Sequence, residues 1–278
     1  FPAIQFKVPL QYHLPKNVTL KEFESDCLKK IEDRLSKDDT IAAFVMESGA
    51  QVAGGVNIYP KAFQKQINLI CKKYNVLFVL DEIATGFGRL GSMIEYKNQN
   101  CRPDIVSFGK MLTGGYLTFA ATLTTRNISN SFLGNFSEKK HLFHGHTYTG
   151  NPIAASLAIE NLKLYEKTKL IQKIQKTSKI FKKRISEFYD LEIVGDVRHQ
   201  GMLVGIELVE NKHRKNPLKT KKSINKIVFD EGRKHHIFFR TLGNIIMLVP
   251  PLAISTEELN FLIDGTINTI KGITNSLK

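Results

Sequence analysis

The most specific chemistry in this sequence lies in two neighbouring carboxylates and one lysine. Asp81 and Glu82 close the apolar run 76–80, and Lys110 follows Ser107-Phe108-Gly109 at the end of a second apolar run. An amine is a nucleophile only when unprotonated, so a nucleophilic lysine needs surroundings that disfavour its charge, such as burial or a nearby cation. An ionised carboxylate fixed at a strand end can keep a heteroaromatic nitrogen protonated. Together these are the two protein groups that pyridoxal phosphate demands: a lysine to form a Schiff base and an acid against the pyridinium nitrogen. Neither residue is informative alone, because Lys110 is one of 40 basic residues and a strand-end aspartate commonly serves as a cap or a surface charge. The conjunction is informative, with Gly86, Gly88, Gly109, Gly114 and Gly115 allowing close backbone approach on both sides.

The same stretch contains a competing motif. Gly86-Phe87-Gly88-Arg89-Leu90-Gly91 satisfies G-x-G-x-x-G, with Asp104 further along. In a dinucleotide fingerprint the glycines follow the strand at once and open a helix. Here Asp81 to Thr85 intervene, and Gly91 leads into Ser-Met-Ile-Glu-Tyr with no sustained helical pattern before Pro103. That reading is rejected.

The elements that must position these groups follow from hydrophobic patterning. The run 40–47 ends at Glu47 and reads as a strand buried on both faces. Phe63, Ile67, Leu69 and Ile70 predict a helix over about 60–74. The runs 76–80 and 104–108 read as further buried strands, and 117–125 as another. Strand, helix and strand with short connections imply a parallel α/β sheet, whose ligands gather at the carboxyl ends of the strands. Beyond it, Pro152 opens a predicted helix with an apolar face of Ala155, Leu157, Ala158 and Leu162, and a second helix is expected over about 168–189. Shorter strands are predicted at 191–194, 201–209 and 245–249, with helices near 220–234 and 255–272 and a basic loop over 212–222. The expected fold is α/β: a partial parallel-sheet domain over 1–167, and a smaller α+β domain over 168–278.

Composition narrows the classes. The 278 residues are 42% hydrophobic and 24% charged, as in an ordinary globule. No apolar run reaches the ~18–20 residues of a membrane span, and the start Phe1-Pro2-Ala3-Ile4 is unlike a secretory signal. Cys27, Cys71 and Cys101 lie far apart, which fits neither a zinc cluster nor a disulfide framework and suits a reducing cytoplasm. No metal site is expected. The net charge of +14 raises a nucleic-acid partner, but the excess is scattered lysine such as Lys173, Lys176, Lys179, Lys182 and Lys183 rather than an arginine-and-aromatic stripe. Neither nucleic acid nor a membrane is expected as a partner.

The motif residues resemble the class-III pyridoxal-phosphate aminotransferases, which have the fold-type I architecture. The resemblance is carried by Asp81-Glu82-Ile83-x-Thr85-Gly86-Phe87-Gly88-Arg89, Pro103-Asp104-Ile105 and Gly109-Lys110-x-Leu112-Thr113-Gly114-Gly115. It extends to Glu47-x-x-x-Gln51-x-Ala53-Gly54-Gly55, to Phe143-His144-Gly145-His146-Thr147-Tyr148-x-Gly150-Asn151-Pro152, and to Arg240 ahead of Leu248-x-Pro250-Pro251. The resemblance implies pyridoxal 5'-phosphate as cofactor, with Lys110 as its Schiff-base lysine and proton carrier and Asp81 against the ring nitrogen. It also implies Ile83 against one ring face, Gln51 near the phenolic oxygen, Thr147 on the phosphate of a second subunit with His146 beside it, Gly145 near the substrate and Arg240 clamping a substrate carboxylate.

The implied activity is transamination in biotin synthesis, from S-adenosylmethionine to 8-amino-7-oxononanoate to give 7,8-diaminononanoate, in a cytoplasmic homodimer. Lysine remains open as the amino donor, because His146 stands where some relatives have proline. Two departures stand out. The family's N-terminal portion has no counterpart here, so a separate N-terminal chain or a catalytically impaired fragment is a further reading. Ser48 also replaces the proline usual after the glutamate.

Overall fold

The computed structural model describes residues 3–277, which form two compact units. Among the described residues, the first comprises 3–49, Tyr59–Phe87 and Ile94–Thr168; the second comprises Ala50–Ile58, Gly88–Met93 and 169–277.

In the first unit, α1 (Leu20–Lys37) opens on a capping box: Thr19 Oγ1 accepts from Glu22 N at 3.2 Å, and the Glu22 carboxylate accepts from Thr19 N at 2.8 Å. This helix is absent from the hydrophobic reading, although Cys27, Ile31 and Leu35, four residues apart, are its buried stripe. Strand β1 (Ala43–Glu47) is followed, after a segment belonging to the second unit, by α2 (Phe63–Lys73) and β4 (Leu77–Asp81). A short helix α3 (Glu95–Asn98) precedes β5 (Ile105–Phe108) and β6 (Ala121–Thr124). The sheet order is β1-β4-β5-β6, with β1, β4 and β5 parallel as expected and β6 antiparallel. Residues 109–120 return as a turn without a crossover helix, which permits only the antiparallel partner. Only 121–124 of the expected strand 117–125 pairs, because the Leu117 carbonyl is tied back by Thr113 Oγ1 at 2.6 Å. Helices α4 (Arg126–Ser131) and α5 (Pro152–Lys167) complete the unit, the latter capped by Asn151 Oδ1 accepting from Ile153 N and Ala154 N, with Pro152 in its first turn.

The second unit has its own core. The hairpin β2 (Ala50–Gln51) and β3 (Asn57–Ile58) belongs to it, with Ala50, Val56, Leu90 and Leu203 packed together. Helices α6 (Leu170–Arg184) and α7 (Ser186–Tyr189) replace the single helix expected over 168–189. Leu191–Ile193 forms a turn rather than a strand, its amides bonded locally as in Leu191 N to Phe188 O. Then come β7 (Val194–Gln200), β8 (Leu203–Asn211), β9 (Asn216–Pro217), α8 (Ile224–Lys234), β10 (Arg240–Leu242), β11 (Ile245–Leu248) and α9 (Thr256–Leu277). The antiparallel sheet runs β10-β11-β8-β7 with β9 on β8. Central β8 is buried from Leu203 to Val209 and packs with Phe181, Phe188, Val228, Ile263 and Ile270. Among the described residues, no helix is long and apolar enough to cross a membrane.

Candidate active site

Asp81 and Lys110 stand at the carboxyl ends of adjacent parallel strands. Asp81 is the last residue of β4 and lies opposite Ser107 of β5, three positions before Lys110. With strands about 4.8 Å apart and three residues spanning at most about 10 Å, the Cα atoms of Asp81 and Lys110 lie within roughly 15 Å, a gap that two side chains and one small ring can bridge. Asp81 Oδ1 accepts from Ile83 N at 2.7 Å, which fixes the carboxylate while Oδ2 has no protein partner among the described residues. Lys110 is exposed and makes no ion pair there. Its backbone has φ +44, a conformation that costs a non-glycine residue of order 1–3 kcal/mol and clusters at functional sites. Gly109 is needed beside it: a Cβ there would lie 3.3 Å from Ile83 Cγ2. The two residues thus press together next to the lysine.

The neighbouring acid is different. Glu82 is fully buried and accepts from the backbone N–H of Glu95, at 2.9 Å, and of Tyr96, so it caps the short helix α3. Burial pushes its pKa up, against the pull of those two amide bonds and of Ser48. The paired carboxylates are therefore divided between a structural cap and a free oxygen at the strand end. Their shared hydrophilicity did not reveal that division in the sequence.

A shell of polar groups fixes the two strand ends. Ser48 N donates to Asp81 O at 2.9 Å, and Gln64 bridges Ser48 Oγ and the Gly49 amide. The residue that departs from the family's proline thus uses both the N–H that proline lacks and its hydroxyl. Asp104 accepts from Phe78 N at 2.8 Å and returns its own amide to Phe78 O, tying β5 to β4. Behind Lys110, Asn161 Nδ2 of α5 donates to the carbonyls of Met111, at 2.7 Å, and Leu112, at 3.1 Å. Asn161 and Gln64 escaped the sequence reading because an isolated amide on a helix carries no motif. Thr85, in the same motif as Asp81, has a buried Oγ1 without a hydrogen-bond partner among the described residues.

The other candidates fall elsewhere. Gly145, His146 and Thr147 are in the first unit, on an exposed stretch where His146 N donates to Thr149 Oγ1 at 2.9 Å and His146 Nδ1 accepts from Tyr148 N. The Thr147 hydroxyl makes no hydrogen bond among the described residues, and Phe143 nearby is 92% exposed. Gln51 and Arg240 are in the second unit. Gln51 Oε1 accepts from Asn57 Nδ2 at 3.1 Å. Arg240 is exposed at the start of β10, opposite Met247. Arg89, carried by the same motif as Asp81, is buried in the second unit and donates from Nη1 to the carbonyls of Met202, at 2.9 Å, and Pro250, at 2.8 Å. Gly88, Gly91 and the turn they frame open no helix, in keeping with rejection of the dinucleotide reading.

The aminotransferase class-III family model matches residues 2–270. The chain belongs to the class-III aminotransferases. It is 42% identical over 265 residues to the adenosylmethionine-8-amino-7-oxononanoate aminotransferase of Aquifex aeolicus, covering 95% of this chain and 58% of the relative. The crystal structure of the Methanocaldococcus jannaschii enzyme of that name superposes with a TM-score of 0.85 at 41% identity, covering 90% of this chain and 58% of the other. The omega transaminase of Pseudomonas jessenii in complex with PMP gives 0.89 at 26% identity, over 96% of this chain and 59% of the other. The chain thus spans about three-fifths of the length of these relatives. The fold is that of the fold-type I transaminases.

Proposed function

We propose that this chain carries the lysine and aspartate of a pyridoxal-phosphate aminotransferase of biotin synthesis, moving an amino group from S-adenosylmethionine to 8-amino-7-oxononanoate. The observation that carries the reading is the placement of Asp81 and Lys110 at neighbouring parallel strand ends in a class-III chain. The donor set suits the cofactor: a carboxylate with one oxygen anchored and one free, an ammonium without an acidic partner, and a branched apolar side chain beside the lysine's backbone.

When bound, pyridoxal phosphate supplies an electron sink for charge developing at the substrate's α-carbon. Asp81 would keep the ring nitrogen protonated. Lys110 would hold the cofactor and carry the proton to and from the substrate's α-carbon. Ile83 would pack on the ring and exclude water, and Gln51 would approach the phenolic oxygen. Thr147, with His146, would serve the phosphate of a second subunit, Gly145 would border the substrate, and Arg240 would clamp the oxononanoate carboxylate as a planar two-point donor. This reading makes the protein a cytoplasmic homodimer, and the names of its relatives favour S-adenosylmethionine over lysine as donor. It also allows a separate N-terminal chain to complete the site.

Incubation with pyridoxal phosphate followed by borohydride should fix a chromophore on Lys110, located by peptide mass. Lys110→Ala should abolish it, and Asp81→Asn should lower transamination by about 10²-fold or more while leaving the adduct in place. An adduct that persists in Lys110→Ala at the same stoichiometry would refute the assignment.

A further inference from the structure

The turn that carries Lys110 is held in place by groups of the first unit that lie outside its own motif. Lys110 opens a single 3-10 turn, Lys110–Thr113, flanked by Gly109 and Gly114. A lysine keeps its left-handed backbone, at φ +44, only where the surroundings impose it. Within the turn, Leu112 N donates to Gly109 O at 3.0 Å across the lysine, and Gly114 N donates to Met111 O at 3.2 Å. Thr113 Oγ1 closes the far side on Leu117 O at 2.6 Å. The hold from outside is Asn161, midway along α5. A side-chain amide has two N–H donors, and Asn161 Nδ2 directs them at two successive carbonyls, Met111 O at 2.7 Å and Leu112 O at 3.1 Å. Its Oδ1 sits against Gly114, where a Cβ would lie 3.4 Å away. Asn161 can brace the turn because α5 is itself fixed, capped by the Asn151 side chain and started by Pro152.

We propose that Asn161 is a positioning residue for Lys110: by holding the two carbonyls that follow the lysine, it keeps the turn wound and the lysine's backbone left-handed. The inference rests on the reading of Lys110 as the lysine that binds pyridoxal phosphate, because only then does the direction of its side chain matter. An amine must meet a carbonyl carbon within a narrow range of distance and angle, and a misplacement of about 1 Å can slow such a step by about 10²-fold. On a loosened turn the lysine would still be present and still react, but it would reach the productive geometry less often.

The test compares the native chain with Asn161→Asp, which keeps the side chain's shape and replaces the donor nitrogen by an oxygen, and with Ala158→Gly, which weakens α5 itself. In the chain without cofactor, the Leu112 and Gly114 amides of Asn161→Asp should exchange at least about ten-fold faster than in the native chain. With pyridoxal phosphate added, the rate at which borohydride-fixable adduct forms on Lys110 should fall about ten-fold or more in Asn161→Asp and stay within about two-fold of native in Ala158→Gly. All three chains are compared below their melting transitions; if Asn161→Asp does not fold, Asn161→Ala, which adds no charge, takes its place. Three results overturn the proposal: unchanged exchange at Leu112 and Gly114, an adduct rate within about two-fold of native in the Asn161 variant, or an equal slowing in Ala158→Gly, which would make the effect one of helix stability alone. The two readings fail separately. A native chain that forms no adduct sinks the aminotransferase reading and leaves the Asn161 brace to be decided by amide exchange, whereas a native adduct that Asn161→Asp leaves untouched sinks the brace and keeps Lys110.

Discussion

His199 shows how burial makes one side chain pH-sensitive. It lies half-buried beside Phe181, with ring centroids 5.9 Å apart, and its Nε2 meets Gly201 O at 2.9 Å. Burial lowers its pKa from the usual 6.5, the Gly201 carbonyl opposes that shift, and Lys182 adds to it. The unfolded chain therefore binds this proton more readily, and the stability the neutral ring contributes is complete above the unfolded pKa and is lost as the pH falls below it. Glu82 and Asp196, whose pKa values burial raises, act in the opposite sense, so the signal must be read as a difference. Denaturant midpoints for the native chain and for His199→Gln, measured from pH 8 to pH 5, should converge as the pH drops. Parallel curves would show that His199 does not titrate differently on folding.

At the scale of elements, what could be read in advance was set by period. The parallel core strands were visible because β1, β4 and β5 are short, mostly apolar runs, and Asp81 and Lys110 were visible because one ends such a run and the other follows one by two residues. Helix α1 was not, since its mean character is polar and only Cys27, Ile31 and Leu35 mark its inner stripe. The division between Asp81 and Glu82 depends on the distant amides of Glu95 and Tyr96, which no local pattern shows. Close approaches are similarly invisible. Gly201, at φ +60 between β7 and β8, leaves no room for a side chain: a Cβ would fall 2.5 Å from Arg89 O and 2.6 Å from Gly91 N. Gly201→Ala combines backbone strain with overlap against main chain that cannot rotate away, and should cost about 2–4 kcal/mol in equilibrium unfolding. A loss below about 0.5 kcal/mol would mean that the loop at 88–93 yields instead.

For the whole molecule, the second unit is not a simple C-terminal half. Its hairpin β2–β3 and the segment Gly88–Met93 come from far upstream, and they supply Val56, against which Gly205 packs too closely for any side chain, and Arg89, which bonds to the Met202 and Pro250 carbonyls. Residues 169–278 made alone would therefore expose Leu203 and strand two buried carbonyls. Such a fragment should lack the near-ultraviolet dichroism and dispersed amide resonances of a packed core. A well-dispersed spectrum would show that the inserted segments are dispensable.

That threading also governs how the protein can be born. A ribosome releases the strands of the first unit early, yet the buried guanidinium of residue 89 meets its two acceptors only after residue 250 has left the exit tunnel. The hydrogen bonds of that side chain to the Met202 and Pro250 carbonyls join segments more than a hundred residues apart, so the second unit can close only late in synthesis.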